Sequence, residues 1–155
     1  MTFKLLSKAA LALAAMGLCL SAASAAYKSE YKLSVVPGAS SGWGQTATFF
    51  ADCVRQKSNG RINIKPYFGA QLMAGKQTSE LLLVRRGAID FALASTINWS
   101  PQIKELNLTA LPFFVANNPD RYKAIDAIEA GKSGKMLEKA IEKTGVKFLG
   151  WSENG

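Results

Sequence analysis

The clearest pattern of hydrophobic and polar positions lies in residues 79–101. An apolar helical segment with two arginines in its last turn ends at Gly87, a residue type that readily takes the left-handed conformation of a helix C-terminus. Residues 89–94 are apolar with one acidic exception, which is typical of a strand buried on both faces of a parallel sheet. Hydroxyl side chains follow at Ser95 and Thr96. Polar groups just past such a strand are where open α/β sheets bind ligands.

The rest of the chain alternates between strand-like and helix-like patterns. Predicted strands cover residues 31–36, 61–67, 89–94 and 146–151. Predicted helices cover residues 43–57, 79–87 and 135–144, and one further helix begins after Asn118, which we expect to cap it. Gly131 and Gly134 are predicted to break the chain between the last two helices. This alternation indicates an α/β fold with a mostly parallel sheet flanked by helices.

Apolar residues at helical spacing predict which helix faces are buried. In the first helix, Ala47, Phe50 and Val54 mark the inward face, and we expect Phe49 and Cys53 to widen it. The inward positions of the last helix are predicted to be Met136, Leu137, Ala140 and Ile141.

The first 25 residues have the pattern of an export signal. Lys4 and Lys8 give a positive start, residues 9–20 are apolar and uncharged, and Ala23-Ser24-Ala25 supplies the small residues of a cleavage site. The apolar stretch is shorter than the ~20 residues that span a bilayer. We therefore expect residues 1–25 to be a cleaved signal peptide of an exported protein, with a retained N-terminal anchor as the alternative.

Charge and cysteine content narrow the function classes. The 155-residue chain has a net charge of +8, and without Lys4 and Lys8 its 17 basic and 11 acidic residues leave +6. Export and the interspersed signs of these charges argue against nucleic acid as a partner. Cys19 lies in the signal, so Cys53 stands alone without an internal disulfide and is predicted to be a small core residue.

Motifs for catalysis or cofactor binding are missing. The sequence has no His, which excludes serine or cysteine triads and histidine metal sites. Gly131-Lys132-Ser133 resembles the end of a phosphate-binding loop, but Asp126 occupies the position of its first glycine. We therefore expect neither an enzyme nor a cofactor or metal. The loop at residues 37–42 precedes a helix, and it either cradles an anion on free amides or is an ordinary turn.

Several short segments, taken in order, resemble one family. They are residues 58–62 (Ser-Asn-Gly-Arg-Ile), 69–72 (Gly-Ala-Gln-Leu), 87–92 (Gly-Ala-Ile-Asp-Phe-Ala), 111–113 (Leu-Pro-Phe) and 151–155 (Trp-Ser-Glu-Asn-Gly). Their order and spacing are similar to those of the periplasmic solute-binding subunit, of the DctP type, of tripartite ATP-independent periplasmic (TRAP) transporters.

The resemblance implies a receptor of two α/β lobes that close on a small organic acid such as a dicarboxylate. Such a receptor delivers the ligand to a membrane permease of two subunits, driven by an ion gradient. Family members are about twice this length, so we expect residues 26–155 to be the N-terminal lobe of a truncated chain. The arginines that grip the ligand carboxylate in the family, through the fork of the guanidinium group, would follow residue 155, and weak or no binding is expected without them.

The resemblance also implies which residues line the cleft. They come from the loop after the first strand, the end of the third strand and the end of the last strand: Pro37, Trp43, Ser95, Thr96, Trp99, Trp151, Glu153 and Asn154. The tryptophans are expected to stack on a planar ligand or to pack in the core. Ser95 stands where some members carry an acidic residue, which suggests a different second anchor on the ligand.

Three other classes share parts of this pattern. A receptor of an ATP-driven uptake transporter has a similar two-lobed plan. A secreted α/β enzyme would need a catalytic pair from outside this sequence, and a sensor domain would be followed by a transmembrane helix.

Overall fold

The computed structural model describes residues 27–111, 115 and 118–152, and in these ranges strands and helices alternate. The strands are β1 (Tyr31–Val35), β2 (Ile64–Tyr67) and β3 (Phe91–Leu93). The α-helices are α1 (Gly42–Lys57), α2 (Glu80–Arg85), α3 (Thr96–Trp99), α4 (Arg121–Ala130) and α5 (Lys132–Glu142). Short 3-10 helices cover Gln71–Met73, Gln77–Ser79 and Lys104–Ala110. The predicted α/β class is confirmed.

The three described strands form a parallel sheet in the order β2-β1-β3. Leu33 pairs with Phe91, Ser34 with Ala92 and Val35 with Leu93. The central strand β1 is therefore bonded on both sides, whereas β2 and β3 form the two edges of the described sheet. Pro66 lies in β2, which suits an edge strand because proline cannot donate a hydrogen bond.

Hydrophobic clusters cover both faces of the sheet. Leu33 and Val35 face α1 with Ala47 and Ala51, and Phe91 and Leu93 of β3 pack against the same cluster. On the other face, Ala92 and Ala94 pack against a cluster of α2, α3, α5 and the segment between α3 and α4. The β3 side chains themselves are only half-buried, so the expectation of a fully buried strand was too strong.

Residues 146–151 do not form the predicted fourth strand. Side chains of the segment do alternate, because Val146 and Phe148 pack against the α5 cluster while Lys147 and Leu149 are exposed. No described strand is hydrogen-bonded to the segment, however. A side-chain pattern predicts an extended conformation, but a strand also needs a neighbour whose backbone groups it can bond.

Helix α1 starts as expected and buries a narrower face than expected. The Ser41 side chain accepts a hydrogen bond from the Gly44 N–H (3.0 Å), which caps the helix. Phe49 is 74% exposed and Cys53 only half-buried. At about 100° per residue, Phe49 lies two positions from Ala47 and hence points away from the buried face, so the prediction that Phe49 widens that face was wrong.

The last two helices begin at other residues than predicted. Asp120 caps α4 by accepting a hydrogen bond from the Lys123 N–H, whereas Asn118 accepts one from the Asp120 N–H. Leu137, Ala140 and Ile141 are buried in α5 as predicted. The adjacent Met136 is 48% exposed, contrary to prediction.

Gly134 lies inside α5 and does not break it. A Cβ atom added at this position would lie 1.8 Å from the carbonyl oxygen of Glu129. Because real Cβ atoms do not approach backbone that closely, the absence of a side chain here sets how near α5 comes to the end of α4.

We predict that Gly134→Ala destabilises the protein by about 1–3 kcal/mol, since the added methyl group forces α4 and α5 apart. Gly42→Ala is the matched control, because a Cβ there meets nothing within 4 Å at the first position of α1, and it should stabilise by about 0.4–1 kcal/mol. Urea unfolding followed by circular dichroism measures both. Equal midpoints for the two variants would contradict the close approach.

Candidate functional site

A cleft of about 1080 Å³ lies beside β3, at one edge of the described sheet. Its walls come mainly from β3 and the residues that follow it, from the first half of α1, from α4 and α5 and from residues 145–152. Apolar side chains dominate these walls, with a few hydroxyl and charged groups among them. This composition is typical of small-molecule sites in proteins.

The cleft brings together five of the eight predicted site residues. They are Trp43, Ser95, Thr96, Trp99 and Trp151. Pro37 is not among the residues that line the cleft. Glu153 and Asn154 lie outside the described residues.

Several polar groups of the loop after β1 are hydrogen-bonded within the protein. The Pro37 carbonyl accepts a hydrogen bond from the Gly69 N–H (3.1 Å). Both the N–H and the hydroxyl of Ser41 donate to the Gly38 carbonyl, at 3.1 and 2.6 Å. The Gly44 N–H is engaged by the Ser41 hydroxyl. The amides of Ser41 and Gly44 are therefore not free for an anion, which favours the ordinary-turn interpretation at these two positions.

Ser95 and Thr96 present hydroxyls to the cleft where β3 ends. The Ser95 carbonyl accepts hydrogen bonds from the N–H groups of Asn98 and Trp99 and so starts α3. The Ser95 hydroxyl makes no hydrogen bond with any residue in the described ranges. The Thr96 hydroxyl lies 2.7 Å from that of Thr109, another cleft residue. Sequence reasoning missed Thr109, since nothing local to it signals this contact.

The three tryptophans have different roles in the structure. Trp43 is half-buried and packs against the β1–α1 cluster. Trp99 is 9% exposed, and its indole N–H donates to Oε2 of Glu80 at 3.1 Å. Trp151 packs on Phe148 with ring centroids 4.8 Å apart, and its buried indole N–H has no hydrogen-bond partner in the part of the chain that the structure describes.

Glu80 is a fully buried acid beside the cleft wall. It is 0% exposed, and its Oε1 lies 2.6 Å from the hydroxyl of Ser34. Burial raises the pKa of Glu80, and the hydrogen bonds from Ser34 and Trp99 partly offset that rise. No ion pair to Glu80 occurs among the described residues. The sequence gives no sign of this burial, because a glutamate at a helix start is normally exposed.

Two cationic side chains line the cleft. Lys147 pairs with Glu142, and this contact holds the pKa of Glu142 below its usual value. Arg121, the first residue of α4, is exposed and makes no ion pair within the described part of the chain. Arg121 was not predicted as a site residue, because helix-start position alone does not reveal which surface a side chain faces.

The described ranges contain no cluster of three His, Cys, Asp or Glu residues arranged to hold a metal ion. In the same ranges, no helix combines the length and apolar character needed to cross a bilayer.

The parallel sheet and the cleft at its edge define an α/β ligand-binding lobe. Residues 33–155 match the family model of the bacterial extracellular solute-binding proteins, family 7, known as DctP. The chain belongs to this family, which confirms the resemblance seen in the sequence. The family consists of periplasmic binding proteins.

Solved structures show the same lobe. A TRAP periplasmic solute-binding protein from Ralstonia eutropha, solved with (S)-2-acetolactate, is 53% identical with a TM-score of 0.72, over 78% of this chain and 37% of that one. A protein from Sulfurospirillum deleyianum, solved with succinate, has a TM-score of 0.67 at 23% identity, over 77% and 36%. The latter likeness shows the fold alone.

A curated relative extends the comparison to nearly the whole chain. The C4-dicarboxylate-binding periplasmic protein DctP of Rhodobacter capsulatus is 26% identical over 142 residues, which are 91% of this chain and 41% of that protein. The chain thus matches well under half the length of these relatives.

We predict that Glu80→Gln gains stability relative to the unchanged protein as pH rises. A raised folded-state pKa means that the folded protein holds the Glu80 proton more tightly than the unfolded chain does. The contribution of Glu80 to stability is therefore complete below its ordinary pKa of about 4.5, and it falls as the pH rises from there to the folded-state pKa. The glutamine variant lacks this fall. Urea unfolding at pH 4 to 8 measures the difference, with Glu105→Gln as a control for losing an exposed carboxylate. A difference that does not change with pH would contradict the prediction.

Proposed function

We propose that the chain is the N-terminal lobe of an extracytoplasmic receptor that binds a small organic anion and delivers it to a TRAP-type permease. The observation that supports this most is the hydroxyl of Ser95 at the end of β3, which has no hydrogen-bond partner among the described residues and lies in the cleft that also contains Trp43 and Trp151. Family membership supports the receptor role. In this proposal the ligand is bound and released unchanged, without cofactor, metal or nucleic acid.

The proposed ligand is a short carboxylate with a second polar group. The 53% identical relative was solved with (S)-2-acetolactate, which carries a hydroxyl and an oxo group beside its carboxylate. In our proposal Ser95 and Thr96 contact this second group. The positive potential of Arg121 at the cleft favours approach of the anion, and the carboxylate itself is gripped by residues outside the described ranges.

Residues 1–25 are proposed to be a signal peptide and residues 26–155 the mature lobe, which would make the protein periplasmic. The mass of the protein isolated from a periplasmic extract tests this, and an N-terminus near Ala26 or Tyr27 is expected. Retention of residues 1–25 would favour the membrane-anchored alternative.

The ligand proposal predicts that (S)-2-acetolactate binds to the whole protein purified from its native cells. Ser95→Ala is expected to weaken this binding by roughly tenfold or more. The reason is that one hydrogen bond to a polar or charged ligand group is lost, about 1–3 kcal/mol. Isothermal titration calorimetry with (S)-2-acetolactate, succinate and a neutral sugar measures the affinity and its dependence on the carboxylate.

Thr48→Ala is the control for this measurement. It removes a hydroxyl from α1 that bonds the Gly44 carbonyl and does not line the cleft, so affinity should stay unchanged. If no carboxylate binds to an unchanged protein that contains both lobes, the proposed ligand class is wrong. If Ser95→Ala binds as well as the unchanged protein, Ser95 is not a ligand contact.

A further inference from the structure

A buried polar network connects three elements of the lobe behind the cleft. Glu80 at the start of α2 lies 2.6 Å from the hydroxyl of Ser34 in the middle of β1. Its other carboxylate oxygen accepts the indole N–H of Trp99 at 3.1 Å. Ser34 and Glu80 are 1% and 0% exposed, so water does not compete for these bonds.

The network acts on the part of the chain that forms the cleft wall. Trp99 is the last residue of α3, and α3 is a single turn that begins directly after Ser95. A further bond fastens the same turn to the segment before α2, from the Asn98 side chain to that of Gln77. Gln102, three residues beyond the turn, donates to the Thr78 carbonyl of the same segment. Because one turn is too short to hold its own position, its place depends on these contacts.

Stability alone does not explain an acid at position 80. An unpaired buried carboxyl is costly, and an apolar residue of similar size generally stabilises a core more. What the carboxyl supplies, and an apolar residue does not, is a directed acceptor for the Trp99 N–H. Buried polar groups of this kind specify one arrangement among several with similar packing.

We propose that Glu80 is a positioning residue for the ligand cleft, which fixes Trp99 and thereby places the hydroxyls of Ser95 and Thr96. The effect on affinity rests on the proposed function, whereas the effect on the position of α3 does not. Glu80 itself touches no ligand in this proposal, because it is not among the cleft-lining residues.

Three substitutions test the proposal. Glu80→Gln retains both bonds, since the amide oxygen accepts from Trp99 and the amide nitrogen donates to Ser34. Glu80→Met removes both and keeps a similar volume. Ile64→Ala, in β2 at the far edge of the sheet, is the control for lost core stability, because Ile64 belongs to the β1–α1 cluster and does not line the cleft.

The first readout is nuclear magnetic resonance of the whole protein in its ligand-free state. The indole N–H signals of Trp43, Trp99 and Trp151 are assigned by single replacement with Phe. We expect Glu80→Met to shift the Trp99 indole signal and the Ser95 and Thr96 amide signals, and Glu80→Gln and Ile64→Ala to leave the Ser95 and Thr96 signals in place. Unmoved Ser95 and Thr96 signals in a folded Glu80→Met variant would overturn the proposal.

The second readout is affinity for (S)-2-acetolactate. We expect Glu80→Met to weaken it by roughly tenfold, Glu80→Gln by less than about twofold and Ile64→Ala not at all. An equal loss in Glu80→Met and Ile64→Ala would mean that the residue acts through stability only, which overturns the proposal.

The outcomes separate this inference from the proposed function. If an unchanged protein that contains both lobes binds no carboxylate, the proposed function fails, while the resonance experiment still decides whether Glu80 positions α3. Should Glu80→Met not fold, Ser34→Ala serves instead, because it frees one carboxylate oxygen without entering the cleft wall. Ser34→Ala loosens the Glu80 carboxyl but leaves its bond to Trp99 in place, so smaller shifts at Trp99, Ser95 and Thr96 are then expected. Their absence would refute the inference.

Discussion

The parallel pairing of β1 with β3 is the constraint on which the site depends. Because both strands run in the same direction, the loop after β1 and the turn after β3 both leave the sheet at the carboxyl ends of the strands. The pairing also sorts side chains between the two faces. Leu33 and Val35 face α1, whereas Ser34 faces the opposite side, where it meets Glu80. One register thus places both the apolar core and the polar network behind the cleft.

Features that rest on local chemistry could be predicted from the sequence. Gly87 takes a positive φ value of 70° just after α2, where a left-handed residue was expected. Ser41 caps α1 because a hydroxyl precedes a helical apolar pattern. The polar turn at Ser95 was predicted from the change of residue type at the end of β3. In each case the residues that decide the structure lie within one turn of one another.

Features that depend on tertiary contacts could not be predicted in the same way. Residues 146–151 have the alternation of a strand, but a hydrogen-bonded neighbour is a property of the fold. Glu80 has the sequence context of an exposed helix start, and only the packing of α2 on β1 and α3 buries it. Arg121 and Thr109 reach the cleft from distant parts of the chain. Phe49 is different, because the helical angle between it and Ala47 was available in the sequence.

The three tryptophans show why core packing and ligand contact need not exclude each other. The indole N–H of Trp99 is already hydrogen-bonded to Glu80, so only part of the Trp99 ring is open to contact with a ligand. Trp151 differs, because its N–H is buried without an acceptor among the described residues while its ring packs on Phe148. A buried N–H group without an acceptor lowers stability unless another group supplies one. Within the described ranges, the cleft therefore combines Trp99, which is fixed by a hydrogen bond, with Trp151, whose N–H has no acceptor. On the β3 side of the cleft, Trp99 is held in place by its hydrogen bond to Glu80. On the side of residues 145–152, the indole N–H of Trp151 can donate a new hydrogen bond.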